Sequence, residues 1–320
     1  MKKATKVWLI TAGSLVLIGC VLFAVVMSML KWDFSKLSTV KYETSTHEVG
    51  KEFSDISIST DTADIVFALS DDGKCRVECY EEERTKHSVT VENNTLVIKI
   101  IDVRNWCDYI GFRFGSPKIT VYLPKIEYNA LYINESTGNI SIPKDYSFGN
   151  VDISVSTGDV DFLAAAREAV KIKTSTGNIG VGNNSVGSLD LSVTIGRVTV
   201  SVMTCKGDIA LGISTGKAYL TDIVCKSVIS SGSTGDISLK NVIATEKFSI
   251  ERSTGSVKFD GSDAAEIFVK TNTGDVTGDL LSEKVFVTQT DTGDVDVPET
   301  IAGGKCEINT DTGDIKIKID

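Results

Sequence analysis

Carboxylates recur in this 320-residue chain on a fixed ruler. Asp159, Asp236, Asp275, Asp294 and Asp314 each follow a Thr-Gly pair, and Asp291 and Asp311 add to the last two units. Stacked about 4.8 Å apart, such carboxylates would repel, and a hard cation with oxygen ligands, calcium above all, would relieve the repulsion. Arg197, Lys217 and Ser256 interrupt the series. The unit also has one glycine turn where the calcium-binding nonapeptide roll has two. The simpler expectation is an exposed turn Asp bonding its own backbone. The expected cofactor is none, with calcium as the weaker alternative.

Other reactive side chains are sparse. His47 and His87 are the two histidines, both in polar contexts outside the repeats, and are expected to be exposed. Seven cysteines follow no zinc-ligand spacing. Cys75 and Cys79 share a face of one strand-like run. Cys107 follows Trp106 with no evident partner, Cys205 and Cys225 occupy a small corner position, and Cys306 takes a core position. Buried free thiols are expected, with a Cys205–Cys225 disulfide between adjacent coils as the alternative. Thr174/Thr176, Thr271/Thr273, Thr290/Thr292 and Thr310/Thr312 raise the idea of a flat hydroxyl array like an ice-binding face, but Thr is also a common strand residue. No nucleophile elbow, His-Glu metal motif, phosphate loop or dinucleotide fingerprint occurs. The chain reads as non-catalytic, with a polysaccharide-active β-helix as the remote alternative.

What must position these residues is a repeat. Gly138, Gly158, Gly177, Gly196, Gly216, Gly235, Gly255, Gly274, Gly293 and Gly313 are spaced by 19 or 20 residues throughout. Apolar residues stand two after each glycine, from Ile140 to Ile315. Seven before each later glycine stand Val151, Val170, Leu189, Ile209, Val228, Phe248, Ile267, Phe286 and Cys306. Within each half-unit the apolar residues alternate, the period of a strand with one buried face. The alternation slips by one at the glycine, which calls for a corner with φ > 0 that glycine tolerates. One unit buries too few side chains to offset its own ordering entropy, so equivalent strands must stack in parallel. The fold class is all-β: a parallel β-solenoid of about ten coils.

The ends differ. Ile56 to Phe67 fits the unit with Ala63 in the glycine's place. Val89–Val91 and Leu96–Ile100 form a hairpin across 92–95, so residues 53–137 read as an opening coil with inserted hairpins that caps the first edge. At the far end Ile315 to Ile319 alternates with Lys316 and Lys318, a charge pattern suited to an uncovered edge strand.

Trp8 to Leu30 is a run of 23 uncharged, mostly apolar residues, long enough as a helix to cross a bilayer core of roughly 30 Å. Lys2, Lys3 and Lys6 on its amino side place the N-terminus in the cytoplasm and the body outside. Two alternatives stay open. Leu17-Ile18-Gly19-Cys20 resembles a lipobox that would lipidate Cys20, and a cleaved signal peptide fits less well because the apolar run is long. Four lysines precede Asp33, so the remaining chain sets 29 basic against 43 acidic residues, a net −14. A body that acidic repels a phosphate backbone, which excludes nucleic acid as the expected partner. The organisation is a cytoplasmic tail at 1–7, a transmembrane helix at 8–30, a juxtamembrane segment at 31–52, a β-rich cap at 53–137 and the solenoid at 138–320.

The anchor, the Lys-Tyr-Glu-Thr-Ser-Thr start at Lys41, the Ile-Ser-Thr-Asp-Thr-Ala-Asp-Ile segment and the serial Ser-Thr-Gly-Asp units resemble a bacterial family. It is the putative-adhesin, β-strand-repeat domain family of unknown function, common in Gram-positive bacteria. The resemblance covers about residues 41–320, and Gly196, between Ile195 and Arg197, is its main departure. It implies a cell-surface β-solenoid and carries over no functional residues. The expected function is an anchored surface protein, an adhesin or interaction scaffold meeting a cell-wall polymer or surface protein. The alternative is an envelope accessory or sensor acting through membrane partners.

Overall fold

The computed structural model describes residues 3–37, 40–103 and 115–320; Lys2 and Cys107 lie outside the described residues. Apart from one amino-terminal helix (Lys3–Met29) and a short 3-10 turn (Phe34–Leu37), the elements are strands. The helix begins within the expected cytoplasmic tail, at Lys3, and ends one residue before Leu30.

The strands form a parallel β-solenoid, and coils are named here by their corner glycine. Val151, Val170, Leu189, Ile209, Val228, Phe248, Ile267, Cys306 and Phe286 follow one another as hydrogen-bonded rungs. Beyond the corner, Ile140, Val160, Ile179, Val198, Ala218, Ile237, Val257, Val276, Ile315 and Val295 form the second ladder. Most of these side chains are fully buried in one continuous core, where Phe248 stacks on Phe259 at 5.9 Å. With Ala63 heading the column, eleven corners at about 4.8 Å each span roughly 48 Å.

The last two coils exchange places. The Gly313 coil (Gly304–Ile319) pairs with the Gly274 coil on one side and with the Gly293 coil (Lys284–Asp296) on the other. The chain therefore passes out to the tip and returns to fill the gap beneath it. The expected uncovered edge is thus covered at Ile315 and Lys316 by Val295–Asp296, while Ile317–Ile319 pair on their inner side alone. The strand Lys284–Thr292 forms the tip, with Val285 and Val287 exposed.

The corner glycines all have positive φ, from 129° to 157°. Close approach reinforces the requirement. At Gly235 (φ 129°) a Cβ would stand 1.7 Å from the Gly216 carbonyl oxygen of the preceding coil. A second corner follows six residues later, where Asn183, Val202, Asp222, Asn241 and Gly261 are left-handed, with φ of 50–59°. Asn, Asp and Gly are the residues that enter this region most readily.

The opening coil, Asp55–Thr62 and Asp64–Leu69, stacks in parallel on Glu127–Thr137 and Ile140–Ile142. Above it, Thr95–Asp102 and Lys118–Leu123 add a further layer. The expected hairpin is present between Thr85–Glu92 and Thr95–Asp102, with Asn93 and Asn94 both left-handed as a two-residue hairpin turn requires. The 31–52 segment is not merely a tether: Tyr42–Val49 pairs antiparallel with Cys75–Glu82.

Candidate functional site

The aspartates of the corner bond across coils and not to their own backbone. Asp64 Oδ1 accepts the Asn139 N–H (2.9 Å), Asn139 Oδ1 the Asp159 N–H (3.0 Å), Asp159 Oδ1 the Asn178 N–H (2.7 Å) and Asn178 Oδ1 the Arg197 N–H (3.1 Å). Toward the tip, Asp236, Ser256, Asp275 and Asp314 continue the chain of acceptors, which ends on the Asp294 N–H. Near the cap the column alternates Asp with Asn, so adjacent rungs there do not both carry charge. Cations also sit on it: Lys217 reaches Asp236 Oδ2 at 2.8 Å and Lys316 reaches Asp314 Oδ2 at 2.6 Å. The Lys217 ammonium, then the Ser256 N–H, hold the Asp236 carboxyl below the usual range; Lys316 and the Asp294 N–H do the same for Asp314.

The threonine pairs do not form a flat array. Thr174, Thr271 and Thr310 are buried and donate to the corner carbonyls of Gly158 (3.3 Å), Gly255 (3.1 Å) and Gly274 (3.1 Å); Thr290 donates likewise to Gly313 (3.0 Å). Their partners Thr176, Thr273, Thr292 and Thr312 face solvent. The six described thiols are free. Cys205 donates to carbonyls of Gly187 (3.8 Å) and Asp208 (3.6 Å), and burial pushes its thiol up to about 11 and that of Cys225 to about 12.

On the face before the corner lies an open trough of about 530 Å³, lined by Ser192, Ser214, Ser231, Ser233, Ser253 and Gly232 among others. Small side chains at successive rungs create it. Beneath it the Arg252 guanidinium occupies the space that Gly232 leaves and donates to Ser230 Oγ at 2.7 Å. Burial holds Arg252 below its ordinary pKa, and among the described residues it has no ion pair.

Both histidines depart from expectation. His47 is half-buried with Nε2 lacking a partner, and His87 is only 5% exposed. His87 Nδ1 lies 2.8 Å from Glu81 Oε2, and its Nε2 lies 2.8 Å from Thr60 Oγ1. A cavity of about 240 Å³ opens beside Glu81 and His87, bordered by Tyr42, Glu82 and Thr85. Thr60 sits in the inward column and not on that cavity, so the bond order hydroxyl–imidazole–carboxylate fixes the ring without presenting a nucleophile. The grouping was legible only in part. Cys79 and Glu81 share a strand face by their spacing, but the turn that folds His87 back onto them, set by the Glu82–Thr85 pair, carries no Gly or Asn signal.

A solenoid built on this glycine corner defines a class of repeat protein. The chain belongs to the Toastrack DUF4097 family, which matches residues 53–216 and 192–320. No curated protein matches the chain. Among solved structures it is similar to a putative adhesin from Bacteroides fragilis, with 17% identity, a TM-score of 0.42 and coverage of 87% of this chain and 97% of that one. It is also similar to a putative lipid binding protein from Parabacteroides distasonis, with 16% identity, a TM-score of 0.48 and coverage of 74% and 94%. A putative adhesin from Parabacteroides distasonis matches with 13% identity, a TM-score of 0.47 and coverage of 85% and 98%.

Proposed function

We propose that this chain is a membrane-anchored, extracytoplasmic interaction scaffold, non-catalytic, whose solenoid face engages a cell-wall polymer or surface protein. The serine trough carries the reading. It is open and polar, runs across successive coils, and suits an extended hydroxylated or amide-bearing partner held by many weak hydrogen bonds. The helix Ala4–Met29, with mean hydropathy 2.6 and an exposed apolar surface, supports anchoring, and the amino-terminal lysines support an outside body.

Three measurements test this. A cysteine introduced at Ser253 will react with a membrane-impermeant maleimide on intact cells, and protection of that thiol until lysis defeats the topology. Mass analysis of the mature chain distinguishes an intact anchor from processing at Cys20. Ser233→Trp, on the exposed wall of the trough, will lower retention on purified cell walls or intact cells while leaving the melting temperature unchanged. Undiminished retention defeats the trough as the contact surface.

A further inference from the structure

Three donors of different chemistry converge inside the cap. Cys79 Sγ, Glu81 and His87 offer ligand atoms that all lie within 4.8 Å of one another, and all three residues are buried. Cys79 and Glu81 come from one face of the strand Cys75–Glu82, and His87 from the strand that follows its turn. We propose that these residues form a binding site for a zinc-like transition metal, with Sγ, Nδ1 and a carboxylate oxygen as ligands and the adjoining cavity supplying the fourth, solvent-derived position.

Mixed sulfur, imidazole and carboxylate ligation suits zinc, which takes three protein ligands plus water in open sites. With bonds of about 2.0–2.3 Å, tetrahedral donors stand roughly 3.3–3.7 Å apart. The Nδ1–Oε2 hydrogen bond of 2.8 Å must therefore open slightly and the sulfur move inward. The outer contacts are already in place. Thr60 Oγ1 holds Nε2 of the imidazole at 2.8 Å, Ser45 Oγ donates to Glu81 Oε1 at 2.7 Å, and the His87 backbone N–H donates to Glu81 Oε2 at 2.8 Å, which leaves the second lone pair of Oε2 for the metal. Such second partners orient metal ligands and fix the imidazole tautomer. Lys86 stands 3.8 Å from Oε1, the oxygen not assigned to the metal, and also pairs with Glu43.

On metal binding Nδ1 offers its lone pair to the metal, and the ring's proton sits on Nε2, donated to Thr60 Oγ1. The Cys79 sulfur binds as thiolate, so its proton leaves to solvent when the metal enters.

Cobalt(II) is the probe, titrated into the full chain in detergent. The expected result is one cobalt per chain with a thiolate-to-cobalt charge-transfer band, proton release on binding, and displacement by zinc. Cys79→Ser will abolish the band and Cys205→Ser, a buried thiol elsewhere, will leave it unchanged. Thr60→Val will weaken affinity roughly 10–100-fold. A band that survives Cys79→Ser, or cobalt binding without any band, overturns the proposal. Should Cys79→Ser fail to fold, zinc-edge X-ray absorption on the wild-type chain decides: one sulfur with nitrogen and oxygen neighbours is required, and a shell without sulfur or with several sulfurs overturns it.

Discussion

Asp275 Oδ1 accepts the backbone N–H of Asp314 at 2.9 Å, although 39 residues separate them. Asp294, the nearer repeat in sequence, sits one rung further out and donates its own N–H to Asp314. The closing coil is thus clamped between two others, and Ile308 has Val269 on one side and Thr288 on the other. The strand Gly304–Thr312 has both its edges paired, while the tip is left to a coil whose core position is Thr288.

That order is directly testable by cross-linking. Lys270 and Asn309 are facing rungs, whereas Gln289 pairs with Asn309 on its far side. Lys270→Cys with Asn309→Cys will oxidise to a disulfide, because neighbouring rungs are within the roughly 4.4–6.8 Å range of bridged Cα atoms. Lys270→Cys with Gln289→Cys will not, since two rungs lie about 9.6 Å apart. The reverse pattern, read by a gel shift under non-reducing conditions, returns the coils to sequence order.

Gly255 has φ 151°, and a Cβ there would lie 2.1 Å from the Gly235 carbonyl oxygen. Gly255→Val combines a left-handed penalty of about 1–2 kcal/mol with overpacking of about 1–3 kcal/mol. It will destabilise the rod by roughly 2–5 kcal/mol. Gly212→Ala is the control, because its Cβ would meet only Ser192 Oγ at 3.7 Å, and it will be near neutral in thermal melts. Equal melting temperatures for the two variants would show that the corner tolerates a side chain.

These corners also show what a sequence discloses. The glycine column, the alternating apolar positions and the Ala63 coil were readable because periodicity records which side faces the core. The rung order at the tip was not, since Gly274, Gly293 and Gly313 coils are alike enough that spacing alone cannot say which neighbours which. The buried polar group around His87 escaped for a different reason. A polar context in the chain does not reveal exposure when the neighbours that bury it, Thr60 and Ser45, come from distant strands. The second corner left a signal in Asn183, Asp222, Asn241 and Gly261, which Val202 obscures.

Glu135 is a titratable group at the cap–solenoid junction, with Oε1 accepting the Ala63 N–H at 3.2 Å and Oε2 buried without a partner. Burial pushes its carboxyl up to about 8, from an ordinary value of 4.5. The folded state therefore keeps a proton that the unfolded chain loses. Its contribution is fully present below about pH 4.5 and declines by up to about 1.4 kcal/mol per pH unit until about pH 8. Glu135→Gln will remove that slope, so the variant gains on the wild type as pH rises from 5 toward 8, roughly by that amount per unit. Parallel pH–stability curves for the two proteins rule this out.

The alternation of Asp64, Asn139, Asp159 and Asn178 keeps like charges apart as far as Arg197, the next rung. Asn178 Nδ2 donates to Asp159 Oδ1 at 3.1 Å, so Asn178→Asp replaces an attraction with a carboxylate pair. The expected loss is about 1 kcal/mol at neutral pH and low salt, shrinking with added salt or below pH 4. Added calcium will leave the wild-type melt unchanged, since Asp159, Asp236, Asp275 and Asp314 each already spend one oxygen on a backbone N–H. A calcium-dependent rise in the wild-type melting temperature would assign Asp275, Asp314 and Asp294 to the cation.

Val202 is the misfit of the second corner. Its φ of 50° places a β-branched residue in the left-handed region, and the side chain is 54% exposed. Little packing offsets the strain there, whereas Asn183 one rung before and Asp222 one rung after enter the same region with short polar side chains. Such a position costs on the order of 1–2 kcal/mol for a residue with a branched Cβ. Val202→Asn will therefore raise stability by about 1 kcal/mol, and Val202→Gly will gain less because glycine orders more chain entropy on folding. Denaturant unfolding at equal m-value reads the difference. An unchanged or lowered midpoint for Val202→Asn means that the exposed valine makes contacts worth more than the strain it bears, and the corner's preference for Asn, Asp and Gly then has another cause.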